Sequence, residues 1–248
     1  MNRIFISDLH LITTQSDTFV VFEKLLKESI TREAEIYILG DLCETWVGDD
    51  DDSELANTLK TLFNELSKHT SIFLLHGNRD FLIGSQFAEE SGITIIQDPY
   101  QLDSQTLITH GDSLCTDDED YQILRKQVRD PNWQKTVLSL DIEKRRKLAT
   151  QIREESTIKK ANKPQNITDV NKIAVSQLSA SHGVSQIIHG HTHRPGIHSE
   201  PWGTRFVLGA WEKCGWCLRE ENSELIMECF PLAGHYENEN SRQDQILA

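Results

Sequence analysis

Apolar positions along the 248-residue chain follow two different periods. Residues 3–8 (RIFISD), 35–41 (EIYILGD) and 71–77 (SIFLLHG) are short, nearly continuous apolar runs, the pattern of buried strands. Between them, 18–32 carries Phe19, Phe22, Leu25, Leu26 and Ile30 at helical spacing. A second helix is predicted over 53–68 through Leu55, Leu59, Leu62, Phe63 and Leu66, with Ser53 placed to cap it. A short helix over 81–90 and strands over 93–98 (ITIIQD) and 105–111 (QTLITHG) follow. From 117 to about 182 the text is helical and highly charged, with no β-type run. Strands resume at 185–190, 205–211, 215–220 and 224–230, and a polar tail covers about 234–248. Strands separated by helices early and strands in succession late predict a layered α/β architecture with two sheets. The expected organisation is a single domain over 1–248, interrupted by a helical insertion at about 118–168.

Composition narrows the classes. Hydrophobic residues are 38 % and charged residues 26 %, enough to build a packed core. No apolar run approaches the ~18 residues a membrane span needs, and no export signal is visible at the start, so the expected location is the cytoplasm. Five cysteines (Cys43, Cys115, Cys214, Cys217, Cys229) without regular spacing speak against a disulfide framework. The pair Cys214 and Cys217 lacks the partners of a zinc site, and all five are expected to be ordinary buried or half-buried thiols. A formal net charge of −14 argues against nucleic acid as a partner. That charge is uneven: residues 121–163 hold twelve Lys/Arg against five acids, a basic island on an acidic protein.

The chemistry gathers at strand ends. Asp8 and His10 follow IFIS, Asp41 follows YILG, Asn78 follows FLLHG, His110 follows LIT, and His191 and His193 follow IIHG. In open α/β sheets the loops at the carboxyl ends of strands share one crevice. Seven donor-type residues at five such ends predict a metal site, and seven are more than one catalytic ion takes. With Asp41 bridging, each of two ions has four protein ligands, the arrangement that clamps phosphate esters for hydrolysis. Carboxylate, imidazole and amide oxygen without thiolate favour Mn²⁺, with Fe²⁺ or Zn²⁺ as alternatives. Glycine before Asp41, Asn78 and His191 predicts close backbone approach there. By contrast His69, His76, His182, His189, His198 and His235 are expected to be packed or surface polar groups, and the run at 49–52 a solvated loop.

The blocks DLH (8–10), GDL (40–42), GNRD (77–80), HGD (110–112) and GHTHRP (190–195) resemble, in order, the five blocks of the calcineurin-like metallophosphoesterases. The resemblance implies a four-layer fold, a two-sheet β-sandwich flanked by helices, with a dinuclear centre. It also implies one ion on Asp8, His10, Asp41 and His193 and a second on Asp41, Asn78, His110 and His191. No side chain beyond the metal-bridging water is then required as a catalyst. Many members of that superfamily carry histidine after the third-block asparagine; here the position is Arg79. A guanidinium is a poor general acid and a good bidentate phosphate clamp, which suits a leaving group that is itself a phosphate.

The finer text (GDLCETWVGDDD, HGNRDFLIG, THGDSLCTDD, DVN, HGHTHRP, VLGAW) resembles the branch of that family acting on a UDP-linked diacylated glucosamine in lipid A synthesis. That resemblance implies water attack on the α-phosphorus of the pyrophosphate, yielding UMP and the diacylglucosamine 1-phosphate. It implies substrate contacts from Asn78, Arg79, His191, Asp118, Ser156 and Lys163, with Lys160 standing where the branch has an asparagine. A diacylated substrate lies in a bilayer. The helical insertion is therefore expected to be a lid that binds acyl chains and docks peripherally on an anionic inner-membrane surface through the basic island and residues 133–140 (WQKTVLSL).

Overall fold

The computed structural model describes residues 2–161 and 167–232; the side chains of 157–161 lie outside it. The order of elements is β1 (Asn2–Ile6), α1 (Asp17–Thr31), β2 (Ala34–Ile38), α2 (Glu54–Leu66), β3 (Ile72–Leu74), α3 (Ser85–Ser91), β4 (Thr94–Ile95), β5 (Tyr100–Gln101) and β6 (Thr106–Thr109). Three helices follow, α4 (Glu119–Val128), α5 (Pro131–Leu138) and α6 (Ile142–Ala161), then α7 (Lys172–His182). The chain ends on β7 (Gln186–His189), β8 (Gly196–Glu200), β9 (Gly203–Val207), β10 (Cys214–Glu221) and β11 (Glu224–Pro231).

Two mixed sheets face each other. One runs β11-β10-β1-β2-β3-β4 and the other β5-β6-β7-β9-β8. β1, β2 and β3 are parallel neighbours in the first, β6 and β7 in the second. Alternation along the strands sorts side chains into three cores. Phe5 joins Leu39, Leu75, Ile108, Ile188 and Phe206 between the sheets, whereas Ile4 and Ile6 point outward to Phe22, Leu26, Leu59 and Phe63 under α1 and α2. Leu107 and Ile187 point the other way, against Val175 of α7. The result is helix, sheet, sheet, helix: the expected four layers.

Local signals set the helix ends. Ser53 Oγ accepts from Ala56 N, as its position predicts, and Ser16, Asp130 and Asn171 cap α1, α5 and α7 in the same way. The strands are shorter than their apolar runs, because each run continues past the sheet into a buried loop: Ser7, Leu39 and Leu75 are all fully buried. β5 and β8 were not foreseen. β5 has two residues, and β8 is polar and mostly exposed, so neither carries a periodic signal.

The segment expected to be a helical insertion holds α4 to α6, and residues 162–166, including Lys163, lie outside the described residues. Two members of its basic island turn toward the body, while Lys126, Lys135, Lys144 and Lys147 are exposed. Arg145 is 3 % exposed and donates to Val47 O (2.7 Å), Leu140 O (3.0 Å) and both oxygens of Asp50. Arg146 pairs with Asp51 (2.8 Å), Asp52 (3.0 Å) and Glu143 (2.7 Å). The acidic run at 49–52 is solvated at Asp50 and Asp52, yet each of its four carboxylates also has a protein partner. Asp50 to Asp52 bind α6, and Asp49 accepts from Gly84 N, Phe87 N and Trp46 Nε1, capping α3. Arg145 and Arg146 of the island thus pair with the acidic loop across the joint between insertion and body.

Candidate metal centre

The carboxyl ends of β1, β2, β3, β6 and β7 open onto one point, and their loops are laced together. Asp8 N donates to Gly40 O (3.1 Å), His10 N to Asp41 O (3.0 Å), and Gly190 N to His110 O (2.9 Å). Asp80, fully buried, accepts from Gly77 N (2.7 Å) and Leu42 N (2.8 Å), tying the loop after β2 to that after β3. Asp8, His10, Asp41, His191 and His193 all adopt positive φ, between 50° and 66°. Such a conformation costs a residue with a side chain roughly 1–3 kcal/mol, and concentrations of it mark functional sites. Close approach requires glycine between them. A methyl group on Gly77 would lie 2.1 Å from Asp41 Oδ1, and one on Gly190 2.2 Å from Asp8 Oδ2.

All seven candidate donors are brought together. His193 Nε2 lies 3.4 Å from Asp8 Oδ1 and 3.2 Å from His10 Nε2. Asp41 turns Oδ2 toward His10 Nε2 (3.9 Å) and Oδ1 toward His110 Nε2 (3.8 Å), so its two oxygens face two groups of ligands. Asn78 Oδ1 sits between His191 Nδ1 (2.8 Å) and His110 Nε2 (3.1 Å). Two trios, Asp8 with His10 and His193, and Asp8 with Asp41 and His110, have their donor atoms within 4.8 Å of one another.

Hydrogen-bond polarity argues that these residues fit cations. His10 Nδ1 faces Glu44 Oε2 at 2.9 Å and His110 Nδ1 faces Leu39 O at 2.8 Å. His110 Nδ1–H donates to that carbonyl, and the Glu44 carboxylate beside His10 Nδ1 favours a proton there, which leaves each Nε2 lone pair directed into the centre. His110 Nε2 and Asn78 Oδ1 then confront each other as two acceptors, a contact that a shared positive charge resolves. Asp8 Oδ1 is buried and accepts no hydrogen bond among the described residues, while Oδ2 is served by Ser7 Oγ (2.6 Å) and His191 N (2.9 Å).

The titration tendencies say the same. Burial pushes the Asp41 carboxyl up to about 6, against the pull of His110 and His10. Burial would lower His110, but Asp41, Asp112 and Asp8 raise it to about 9. Burial would likewise raise Asp8, yet His193, His110 and His10 hold it well below the carboxylate range. His191 is driven down to about 3 by burial and by neighbouring His110, which keeps its imidazole neutral. A buried cluster of carboxylates and imidazoles with these tendencies is suited to a bound cation.

The centre forms the floor of a cavity of about 720 Å³. Its lining includes Asn78, Arg79, His191 and His193, and from the insertion Leu124, Val128 and Ile152 together with the charged Asp120, Arg125, Arg129, Arg153 and Glu155; Phe81 lines it as well. Asp118 and Ser156 also line it, Asp118 while accepting from Tyr121 N as the cap of α4. Four contributors escaped the sequence reading. Asp112, fully buried, accepts from Tyr121 Oη (2.7 Å) and Arg125 Nε (2.8 Å), and the Tyr121 ring lies 5.7 Å from that of His191. Glu44 backs His10, and its only sequence mark is its place in GDLCETW.

The fold and this centre define a family. The chain belongs to the calcineurin-like phosphoesterases, whose sequence profile matches residues 1–195, and it is a metal-dependent hydrolase. More particularly, it is 41 % identical over 236 residues to UDP-2,3-diacylglucosamine hydrolase of Cellvibrio japonicus, covering 92 % of this chain and 98 % of that one. Its identity to the protein of the same name from Neisseria meningitidis serogroup B is 45 % over 212 residues, 84 % and 88 % of the two chains. The Pseudomonas aeruginosa protein is 40 % identical over 241 residues, 94 % and 100 % of the chains. Among solved structures, an archaeal phosphodiesterase superposes with a TM-score of 0.50 at 13 % identity, over 93 % of this chain and 100 % of its own, a likeness of fold.

Proposed function

We propose that the protein hydrolyses the pyrophosphate bond of UDP-2,3-diacylglucosamine, releasing UMP and 2,3-diacylglucosamine 1-phosphate. The observation that carries this reading is one cavity lined both by strand-end donors with Arg79 and by Leu124, Val128 and Ile152 of the insertion. Those aliphatic side chains supply apolar surface that an acyl chain can cover. The names of relatives about 40 % identical over most of the chain support it.

Two divalent ions would be held by Asp8, His10, Asp41 and His193 and by Asp41, Asn78, His110 and His191, and the all-nitrogen-and-oxygen donor set favours manganese. When bound, the ions supply charge against the phosphoryl oxygens and lower the cost of ionising water near neutral pH. The chain's own part is orientation and charge. Arg79 is anchored through its backbone, N to Asp41 Oδ1 (2.8 Å) and O accepting from Trp46 N (3.1 Å). Its Nε is buried with no partner among the described residues, a donor reserved for phosphate oxygen. A permanently charged guanidinium stabilises a departing sugar 1-phosphate without lending a proton. Asn78 and His191 border the same oxygens, Asp118 and Ser156 face the sugar, and Leu124, Val128, Ile152 and Phe81 hold acyl chains and exclude water. Lys163, the remaining expected contact, lies outside the described residues.

The insertion would meet the substrate at an anionic inner-membrane surface on the cytoplasmic side. No described helix is long and apolar enough to cross a membrane. Ile123 and Leu138 are exposed on the insertion, as are Lys126, Lys135 and Lys147, whereas Arg145 and Arg146 are spent on the body. The decisive experiment is incubation with UDP-2,3-diacylglucosamine and Mn²⁺, with Asp41→Ala as control. UMP release by the wild type alone is the expected result. Turnover of bis-aryl phosphates without any of the lipid substrate overturns the assignment.

A further inference from the structure

We propose that Glu44 is a positioning residue for His10 and that Arg153 of the insertion holds Glu44 in place. Cation affinity at the strand ends and closure of the insertion are then one linked equilibrium. The two oxygens of Glu44 are divided between the two tasks. Oε2 faces His10 Nδ1 at 2.9 Å, and Oε1 faces an Arg153 guanidinium nitrogen at 2.7 Å. Glu44 stands on the loop after β2, three residues beyond Asp41, and its side chain is only 13 % exposed. Arg153 stands on α6, in the insertion.

A carboxylate behind a ligating imidazole fixes which nitrogen carries the proton, orients the ring and makes it a better donor. Glu44 is the only carboxylate on His10 Nδ1 among the described residues. A glutamate side chain loses about 1.5–2 kcal/mol of rotamer freedom on being held, and a second partner shares that cost. Arg153 is 44 % exposed, so its own repulsion of a cation is screened by solvent while its hold on Glu44 is local. Among the described residues, the other basic side chains of α6 that reach the body, Arg145 and Arg146, end on Asp50, Asp51 and Asp52, which touch no candidate ligand. Arg153 is the described contact through which this helix reaches the shell of the centre. Linkage requires reciprocity: whatever closing the insertion contributes to cation binding, cation binding contributes to closing.

The test is titration of the metal-free full-length protein with Mn²⁺ alone, followed calorimetrically, with no substrate present. Glu44→Gln, which keeps an acceptor but removes the charge, should weaken the tighter or weaker of the two sites by about 10–100-fold. Arg153→Ala should weaken the same site about two- to fivefold, the scale of a partly exposed ion pair. It should have no effect in a Glu44→Ala background. Arg146→Ala, which severs a different tie of the same helix, should leave Mn²⁺ affinity unchanged. Conversely, saturating Mn²⁺ should slow proteolysis within the insertion in wild type more than in Arg153→Ala. Unchanged or tighter Mn²⁺ binding in Arg153→Ala, an equal effect of Arg153→Ala with and without Glu44, or an equal loss in Arg146→Ala each overturns the proposal. None of these readings depends on which phosphoester is the substrate.

Discussion

Arg145→Leu should open the insertion while leaving the two-sheet body folded. The guanidinium is buried and serves three acceptors: Val47 O at 2.7 Å, Leu140 O at 3.0 Å, and the Asp50 carboxylate. Gly48 makes room for it, since a methyl group there would lie 2.3 Å from an Arg145 nitrogen. Leucine keeps much of the volume and removes every donor. Asp50 is 60 % exposed and regains water, so the ion pair itself is worth only about 1 kcal/mol. The Val47 carbonyl is inside and does not; leaving such a group unmet costs about 1–3 kcal/mol. The sum is about 2–4 kcal/mol on the equilibrium between docked and open insertion. If proteolysis samples the open form, cleavage within α4 to α6 should accelerate roughly 30-fold to several hundredfold, at a tenfold change per 1.4 kcal/mol. The assay is limited trypsin digestion under native conditions with fragment mapping, beside thermal unfolding followed by circular dichroism. A cleavage rate within threefold of wild type would mean that the clamp contributes little and that apolar packing alone docks the insertion.

Other perturbations probe the centre and the core. Gly190→Ala should displace Asp8 Oδ2 and abolish tight metal binding while the far-ultraviolet spectrum stays native; metal content after dialysis reports it, and full metal retention would contradict the close packing seen there. Mn²⁺ in large excess should raise the thermal midpoint, by about 2.7 kcal/mol of stability at a hundredfold excess over Kd, and Asp41→Ala should erase the shift. Phe22→Ala removes a fully buried ring packed edge-on against Phe19, Phe63 and Trp211 and should cost about 3–5 kcal/mol in urea unfolding; a cost below 1 kcal/mol would refute the rigid packing of that layer.

The sequence by itself determined the order of strands and helices, the interruption by a charged helical segment, and the seven donor-type residues at five strand ends. Each of these is local: an apolar run of strand length, a cap, or a ligand a fixed distance past a run is visible wherever the chain goes afterwards. That is why Phe22 and Leu59 were legible as core and His191 and His193 as candidate ligands. Charge misled where local reading assumes solvent. The acids at 49–52 and the bases at 145–146 read as two independent surfaces, and only folding put one against the other across more than ninety residues of chain. The same holds for Glu44 and Arg153, for Asp112 beneath Tyr121, and for the positive-φ turns that aim the donors, none of which has a periodic signature. Tertiary structure alone decided which nitrogen of each histidine faces inward and where the cavity runs. Those properties belong to contacts between distant segments, and contact energies, unlike hydrophobic periodicity, are not written in the neighbouring residues.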